Sequence, residues 1–210
     1  MILKKKLLAK SRLYAIVDRQ TSCKANIPKQ TKQLRDAGVH IIQLRDKVCA
    51  KSAVLETARA LKKILSGYPV LFIINDHIDI CALIDSDGVH LGQKDTSLVT
   101  CRKILGDNKL IGISCCTLTQ AIKAQAQGAD YLGIGPVYAT KTKKDAGRLL
   151  GINCISKIKE KIHIPFFVIG GIGTHNMLNL KKQGARRFAL CAALCKGKNI
   201  RATTQSFLNL

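Results

Sequence analysis

The sequence has no tryptophan, and aromatic residues fill only 4% of its 210 positions. That excludes a surface that holds single-stranded nucleic acid by stacking bases on rings, and it leaves Ile, Leu, Val, Ala and Cys to build the core. Acidic residues are also scarce, 13 against 35 Lys plus Arg, for a formal net charge of +22. Such an excess suits polyanionic partners. The lysines are spread along the whole chain with no RNA- or DNA-binding motif beside them, so phosphorylated small molecules are expected and a specific nucleic acid is not. No apolar run approaches the roughly 20 residues of a membrane span. Met1–Lys10 interrupts a short apolar stretch with lysines and has no cleavage site after it, unlike a secretory signal. The nine cysteines include no Cys-x-x-Cys pair and read as small apolar fillers in a reducing cytoplasm. Association with further copies of the same chain is left open.

Asn-Gly hairpin turns are missing too, and this shapes the fold. What is present is a series of eight short apolar runs: Leu13–Val17, His40–Leu44, Val70–Ile74, Gly88–Leu91, Leu110–Ile113, Tyr131–Ile134, Pro165–Ile169 and Arg187–Cys191. Between them lie segments of helical spacing such as Ser52–Leu65 and Thr117–Gln127, each followed by a glycine that can stop a helix, Gly67 or Gly128. Strand and helix in alternation without hairpins give parallel strands joined by helical crossovers. Eight such units predict a single (β/α)8 barrel over residues 13–210, after a short basic extension at 1–12. A doubly wound open sheet would want a glycine-rich turn after its first strand, where Val17-Asp18-Arg19-Gln20 stands instead.

A barrel carries its chemistry at the C-terminal ends of its strands, and polar residues gather there. The second strand ends in Gln43-Leu44-Arg45-Asp46-Lys47, where a period of two puts Gln43 and Arg45 on one face. The third ends in Asn75-Asp76, the fourth leads through Gly92-Gln93 to Asp95, and the fifth ends at Ser114. The sixth opens into Gly133–Gly147, GIGPVYATKTKKDAG, a hydroxyl-rich cationic loop. The seventh ends in Gly170-Gly171-Ile172-Gly173 before an expected helix start at Thr174, where free backbone N–H groups suit a phosphate.

Asp76 and Asp95 on adjacent strands fit a shared Mg2+ ion, which takes one or two carboxylates and fills its sphere from phosphate oxygens and water. Each also fits as a helix N-cap, before Ile78–Ile84 and Thr96–Leu105 respectively. Arg45, Lys47 and Lys143 would place positive charge on a diphosphate, and Thr140 with Thr142 would offer hydroxyls to another phosphate. No nucleophile with an adjacent base is evident: Ser114 has no histidine beside it in the chain, and His90 reads as a satisfied strand residue. Electrostatic stabilisation of a leaving diphosphate is the mechanism that remains.

These segments, LYAIVD, IIQLRDK, IINDHIDICALIDSDGVHLGQKD, GIS, GADYLGIGPVYATKTKKDAG and FVIGGI, resemble the thiamine phosphate synthase family from about residue 13 to 194. The resemblance implies an Mg2+-dependent transferase. It would join hydroxymethylpyrimidine diphosphate to a thiazole phosphate, carboxylated or aromatised, through loss of diphosphate and capture of the pyrimidine cation by the thiazole nitrogen. It assigns Gln43, Arg45, Lys47, Asn75, Ser114 and Lys143 to the pyrimidine diphosphate, with Arg45, Ser114 and Lys143 acting on the leaving group. Asp76 and Asp95 become metal ligands. Thr140, Thr142, Gly171, Cys191 and Ala192 fall to the thiazole phosphate, with the start of the last helix completing that anion site. FALCAAL places Ala192 where the family usually has serine, Ala139 replaces a usual proline, and Arg186-Arg187 a usual Asp-Gly. A related tautomerase depends on a histidine two residues past Ser114, a position held here by Cys116. A nucleic-acid-binding protein on a decayed enzyme scaffold would have lost the rim residues, which are nearly complete.

Overall fold

The computed structural model describes residues 1–22, 26–140, 142, 147–197 and 199–209. Strand and helix alternate as the apolar runs require. The order is α1 (Ile2–Lys10), β1 (Leu13–Asp18), α2 (Ile27–Asp36), β2 (Ile41–Arg45), α3 (Lys51–Leu65), β3 (Leu71–Asn75), α4 (Ile78–Leu83), β4 (Gly88–Leu91), α5 (Leu98–Leu105), β5 (Leu110–Cys115), α6 (Leu118–Ala126), β6 (Tyr131–Ile134), α7 (Cys154–Lys161), β7 (Phe166–Ile169), α8 (Met177–Lys182), β8 (Phe188–Leu190), α9 (Ala192–Cys195) and α10 (Ile200–Leu208). Each strand pairs parallel with the next, and β8 pairs with β1, so the eight strands close a barrel. The fold is the (β/α)8 barrel expected from the sequence.

Strands β2, β3 and β5 run past the last apolar residue of their runs to Arg45, Asn75 and Cys115. The polar residues at these ends still hold register with a neighbour: Arg45 lies opposite Asp18, Asn75 opposite His90 and Ser114 opposite Gly133. Hydrophobicity stops before the ladder does, because the ends of barrel strands face a solvent-filled mouth.

Alternation along the strands sorts side chains into two cores. Outward residues such as Val17, Leu44, Ile74, Val89, Ile111 and Leu132 pack under the helices. Inward residues, among them Tyr14, Ile16, Ile41, Leu71, Ile73, Leu110, Tyr131 and Phe167, fill the barrel itself. Leu8 of α1, 2% exposed, joins this inner cluster beside residues that begin β3 and β5, Leu71 and Leu110. Helix α1 therefore plugs the N-terminal mouth of the barrel, and Lys4 with Asp87 (3.1 Å) and Lys5 with Asp130 (3.5 Å) fasten it there.

A glycine makes room for one of the two inner tyrosines. A Cβ on Gly112 would lie 2.1 Å from Cζ of Tyr131, whose ring is fully enclosed. Gly112→Ala is expected to cost about 1–3 kcal/mol through overpacking, seen as a lowered melting temperature; an unchanged melt would show that the ring has other space. At helix ends, Gly67 after α3 and Gly128 after α6 take the left-handed conformation, with φ of 80° and 87°, as expected of helix stops.

Two expected helix caps, Asp76 and Asp95, and two expected helix starts, Thr96 and Thr174, are corrected. Helix α4 starts at Ile78 as expected, with His77 at its N-cap position and no side-chain cap hydrogen bond, and α5 is capped by Ser97, whose hydroxyl accepts from the Thr100 N–H at 3.1 Å. Neither Asp76 nor Asp95 is therefore an N-cap. Helix α8 begins at Met177 rather than near Thr174, because Asn176 folds back to accept from the Gly173 N–H and to donate to the Gly171 carbonyl, both at 2.9 Å. Among the described residues no helix is long and apolar enough to cross a membrane.

Candidate active site

The C-terminal ends of the strands surround a cavity of about 540 Å³. Arg45, Lys47, Asn75, Asp76, Asp95 and Ser114 line it from the β2 to β5 side, and Thr140, Thr142, Gly171, Cys191 and Ala192 from the β6 to β8 side. The structure thus brings together the described residues singled out from sequence, apart from Gln43. That residue faces inward one pleat below Arg45 and is 2% exposed, so it belongs to the floor beneath the cavity. Lys143 lies outside the described residues.

Arg45 is 8% exposed and its guanidinium is held by Asp18, itself 1% exposed. Asp18 also accepts from the Thr21 N–H at 2.7 Å. Sequence reasoning passed over Asp18, although it stands in phase with Tyr14 and Ile16 at the end of β1. An acid at that point of an inward face needs a partner, and β2 supplies one in register.

The two expected metal ligands face each other across the β3 and β4 ends. Asp76 sits at a φ of 61°, rare for a residue with a side chain. Burial pushes its carboxyl above the usual range and the charge of Asp95 pushes it further, while Lys47 Nζ, 3.0 Å from Oδ2, pulls it back. Asp95 is folded toward the cavity by accepting from the Gly92 N–H at 2.6 Å. Two close carboxylates, Asp76 with its charge disfavoured by Asp95, suit a cation between them. Among the described residues no cluster of three or more His, Cys, Asp or Glu could hold a metal. The donor set therefore fits a hard ion that completes its sphere with substrate oxygens and water, as Mg2+ does.

Beneath the cavity runs a continuous file of polar side chains. Gln43 Nε2 donates to the Tyr14 hydroxyl at 2.7 Å, and that hydroxyl lies 3.0 Å from the hydroxyl of Tyr131. The Tyr131 hydroxyl is 3.2 Å from Nδ1 of His90, and His90 Nε2 is 2.9 Å from Oγ of Ser114. Ser114, without a histidine beside it in the chain, has one in space. The pairing of β4 with β5 sets His90 opposite Gly112, one pleat from Ser114. The imidazole is satisfied, as expected, and one of its partners is a cavity residue. Gln93 fixes the serine backbone by donating from Nε2 to its carbonyl at 2.7 Å.

On the other side, Gly170 and Gly171 have φ of 104° and 64°, and a Cβ on Gly171 would lie 2.5 Å from the Ala139 carbonyl oxygen. Only glycine lets the loop after β7 lie so close to the loop after β6. Thr142 N–H donates to Thr140 Oγ1 at 3.2 Å, which folds the threonine segment at the cavity edge. Ala192 opens α9, a four-residue helix with no side-chain cap, separate from the last helix α10; the start of α9 rather than of the last helix is what meets the cavity. The described lining residues include Cys116 and no histidine, so the group a tautomerase would require is absent from the described wall.

Comparisons with known proteins bear on the family and the barrel. Residues 13–194 match the family model described as thiamine monophosphate synthase. A thiamine-phosphate synthase of Shouchella clausii is 40% identical over 197 residues, 94% of each chain. One from Lawsonia intracellularis is 41% identical over 188 residues, covering 90% of this chain and 87% of its own. Among solved structures, the thiamine phosphate pyrophosphorylase from Pyrococcus furiosus superposes with a TM-score of 0.86 at 30% identity, over 97% of this chain and 96% of its own.

Proposed function

From the premise that the chain belongs to the thiamine monophosphate synthase family, a transferase family of thiamine biosynthesis acting on phosphorylated small molecules, we propose how this cavity performs the transfer. A pyrimidine carrying a diphosphate lies on the β2 to β5 side, and a thiazole carrying a phosphate on the β6 to β8 side. The observation that carries the reading is the presence in one cavity of two sets of anion donors on opposite sides of the barrel, with a carboxylate pair, among the described residues, beside only one of them.

Arg45 and Lys47 place positive charge beside the leaving diphosphate, the family pattern assigns Lys143 to the same group, and Asn75 and Ser114 donate to it. Held by Asp76 and Asp95, Mg2+ would add positive charge where the diphosphate oxygens become more negative. The carbon–oxygen bond breaks with its electron pair departing on diphosphate, and the thiazole nitrogen lone pair forms the carbon–nitrogen bond. The nitrogen that attacks carries no proton, so the transfer itself needs no general base, and preorganised charge is the principal catalytic resource. Thr140, Thr142, Gly171 and the backbone amides near Cys191 and Ala192 hold the thiazole phosphate. The described cysteines are free, as suits a reducing compartment, and we place the enzyme in the cytoplasm.

The test is to mix purified protein with hydroxymethylpyrimidine diphosphate, thiazole phosphate and Mg2+, and to oxidise the product to its fluorescent form. Thiamine phosphate that forms with Mg2+ and vanishes with EDTA is the expected result. A folded, substrate-saturated sample that makes none would refute the proposal.

A further inference from the structure

Each hydroxyl in the file beneath the cavity has one hydrogen to give, and both tyrosines are fully buried, so water does not supply another. Their burial keeps both phenols protonated at neutral pH. With Gln43 Nε2 donating to Tyr14, the Tyr14 hydrogen goes to Tyr131, and that of Tyr131 to Nδ1 of His90. With Nδ1 accepting from Tyr131, the imidazole donates from Nε2 to Ser114 Oγ. The serine hydrogen is then left to point into the cavity. Reversal of the bonds between the tyrosines would require the Gln43 amide to turn and present its oxygen to Tyr14. The rings that carry the file are clamped: Phe167 packs edge-on to Tyr14 at 5.3 Å and to Tyr131 at 6.0 Å between centroids.

We propose that Tyr14, Tyr131 and His90 are positioning residues whose hydrogen-bond file fixes Ser114 as a donor toward the substrate and couples its hydroxyl to the Gln43 amide across the barrel. The amide beneath the cavity floor thereby sets the hydroxyl that lines the cavity wall. An amide held in one orientation at Gln43 sets the hydroxyl that meets the departing oxygen at Ser114. This rests on the assignment of Ser114 to the pyrimidine diphosphate.

Double-mutant cycles test it in the assay above. Ser114→Ala alone is expected to lower kcat by about tenfold, the worth of a hydrogen bond to a charged group. Tyr131→Phe, which keeps the ring and removes one hydroxyl, is expected to lose a similar factor in kcat with the KM for thiazole phosphate unchanged. The double variant should lose little more than either alone, a coupling of about tenfold. Tyr14→Phe paired with Ser114→Ala should show the same coupling from the far end, and it answers the question if Tyr131→Phe fails to fold by circular dichroism. Thr142→Ala, across the cavity, should multiply independently with Tyr131→Phe. Losses that simply multiply between the tyrosines and Ser114 would overturn the file while leaving the site assignment intact. A silent Ser114→Ala would overturn that assignment, and the file with it.

Discussion

Asp76→Asn is expected to lower Mg2+-dependent product formation by at least about 10³-fold, because a metal's transition-state charge stabilisation is worth several kcal/mol and each 1.4 kcal/mol is about tenfold. The choice of asparagine matters. Asp76 holds a φ of 61°, a region that asparagine enters more readily than other residues with side chains, whereas alanine would add backbone strain to the loss of charge. The variant therefore keeps the loop and removes one formal charge between Lys47 and Asp95. Burial and the facing Asp95 already push the Asp76 carboxyl upward, so the folded protein without a cation gives up little when that charge is removed. The measurement is initial rate against Mg2+ concentration, with a thermal melt alongside. A lost rate with an unchanged melt is expected; turnover and Mg2+ dependence like those of the parent would sink the metal assignment.

The barrel was legible because its evidence is local. Eight β-branched runs at even spacing, no hairpin turns, and Gly67 and Gly128 after helical segments all act over a few residues, and a parallel closed sheet is the arrangement that satisfies them together. The rim was legible for a related reason: alternation puts Gln43 and Arg45 on one face whatever lies opposite. What lies opposite was not legible. Asp18 matters because β1 and β2 set it against Arg45, 27 residues away, and His90 matters because β4 and β5 set it against Ser114, 24 residues away. No spacing in the sequence encodes such a pair, since it is fixed by strand register. The helix starts failed for a different reason. Asp76 and Asp95 have the right chemistry for a cap, but each is one or two residues early, and His77 and Ser97 take the position. Helix α1 was read as a basic extension because Leu7 and Leu8 look unremarkable among lysines until the open end of a barrel is placed above them.

The Arg45 and Asp18 pair carries the second large effect, and it separates stability from catalysis. Both groups are nearly out of contact with water, and each is the other's charge partner. Removing one charge from such a pair leaves the other stranded, which costs about 3–5 kcal/mol. Arg45→Met keeps most of the apolar stem and strands Asp18, so a melt lowered by that order is expected, together with a loss in turnover of about 10² or more from the missing charge at the leaving diphosphate. Adding Asp18→Asn to Arg45→Met removes the stranded carboxylate while its side-chain oxygen can still accept from the Thr21 N–H. The double variant should therefore recover much of the stability and none of the turnover. Recovery of both would show that Arg45 acts only by holding the barrel mouth together. Arg45→Lys sharpens the distinction, since it restores a charge to Asp18 but not the planar fork that can serve a carboxylate and a phosphate oxygen at once. It should melt close to the parent and turn over far more slowly, because catalysis here depends on where the charge is aimed as well as on its presence.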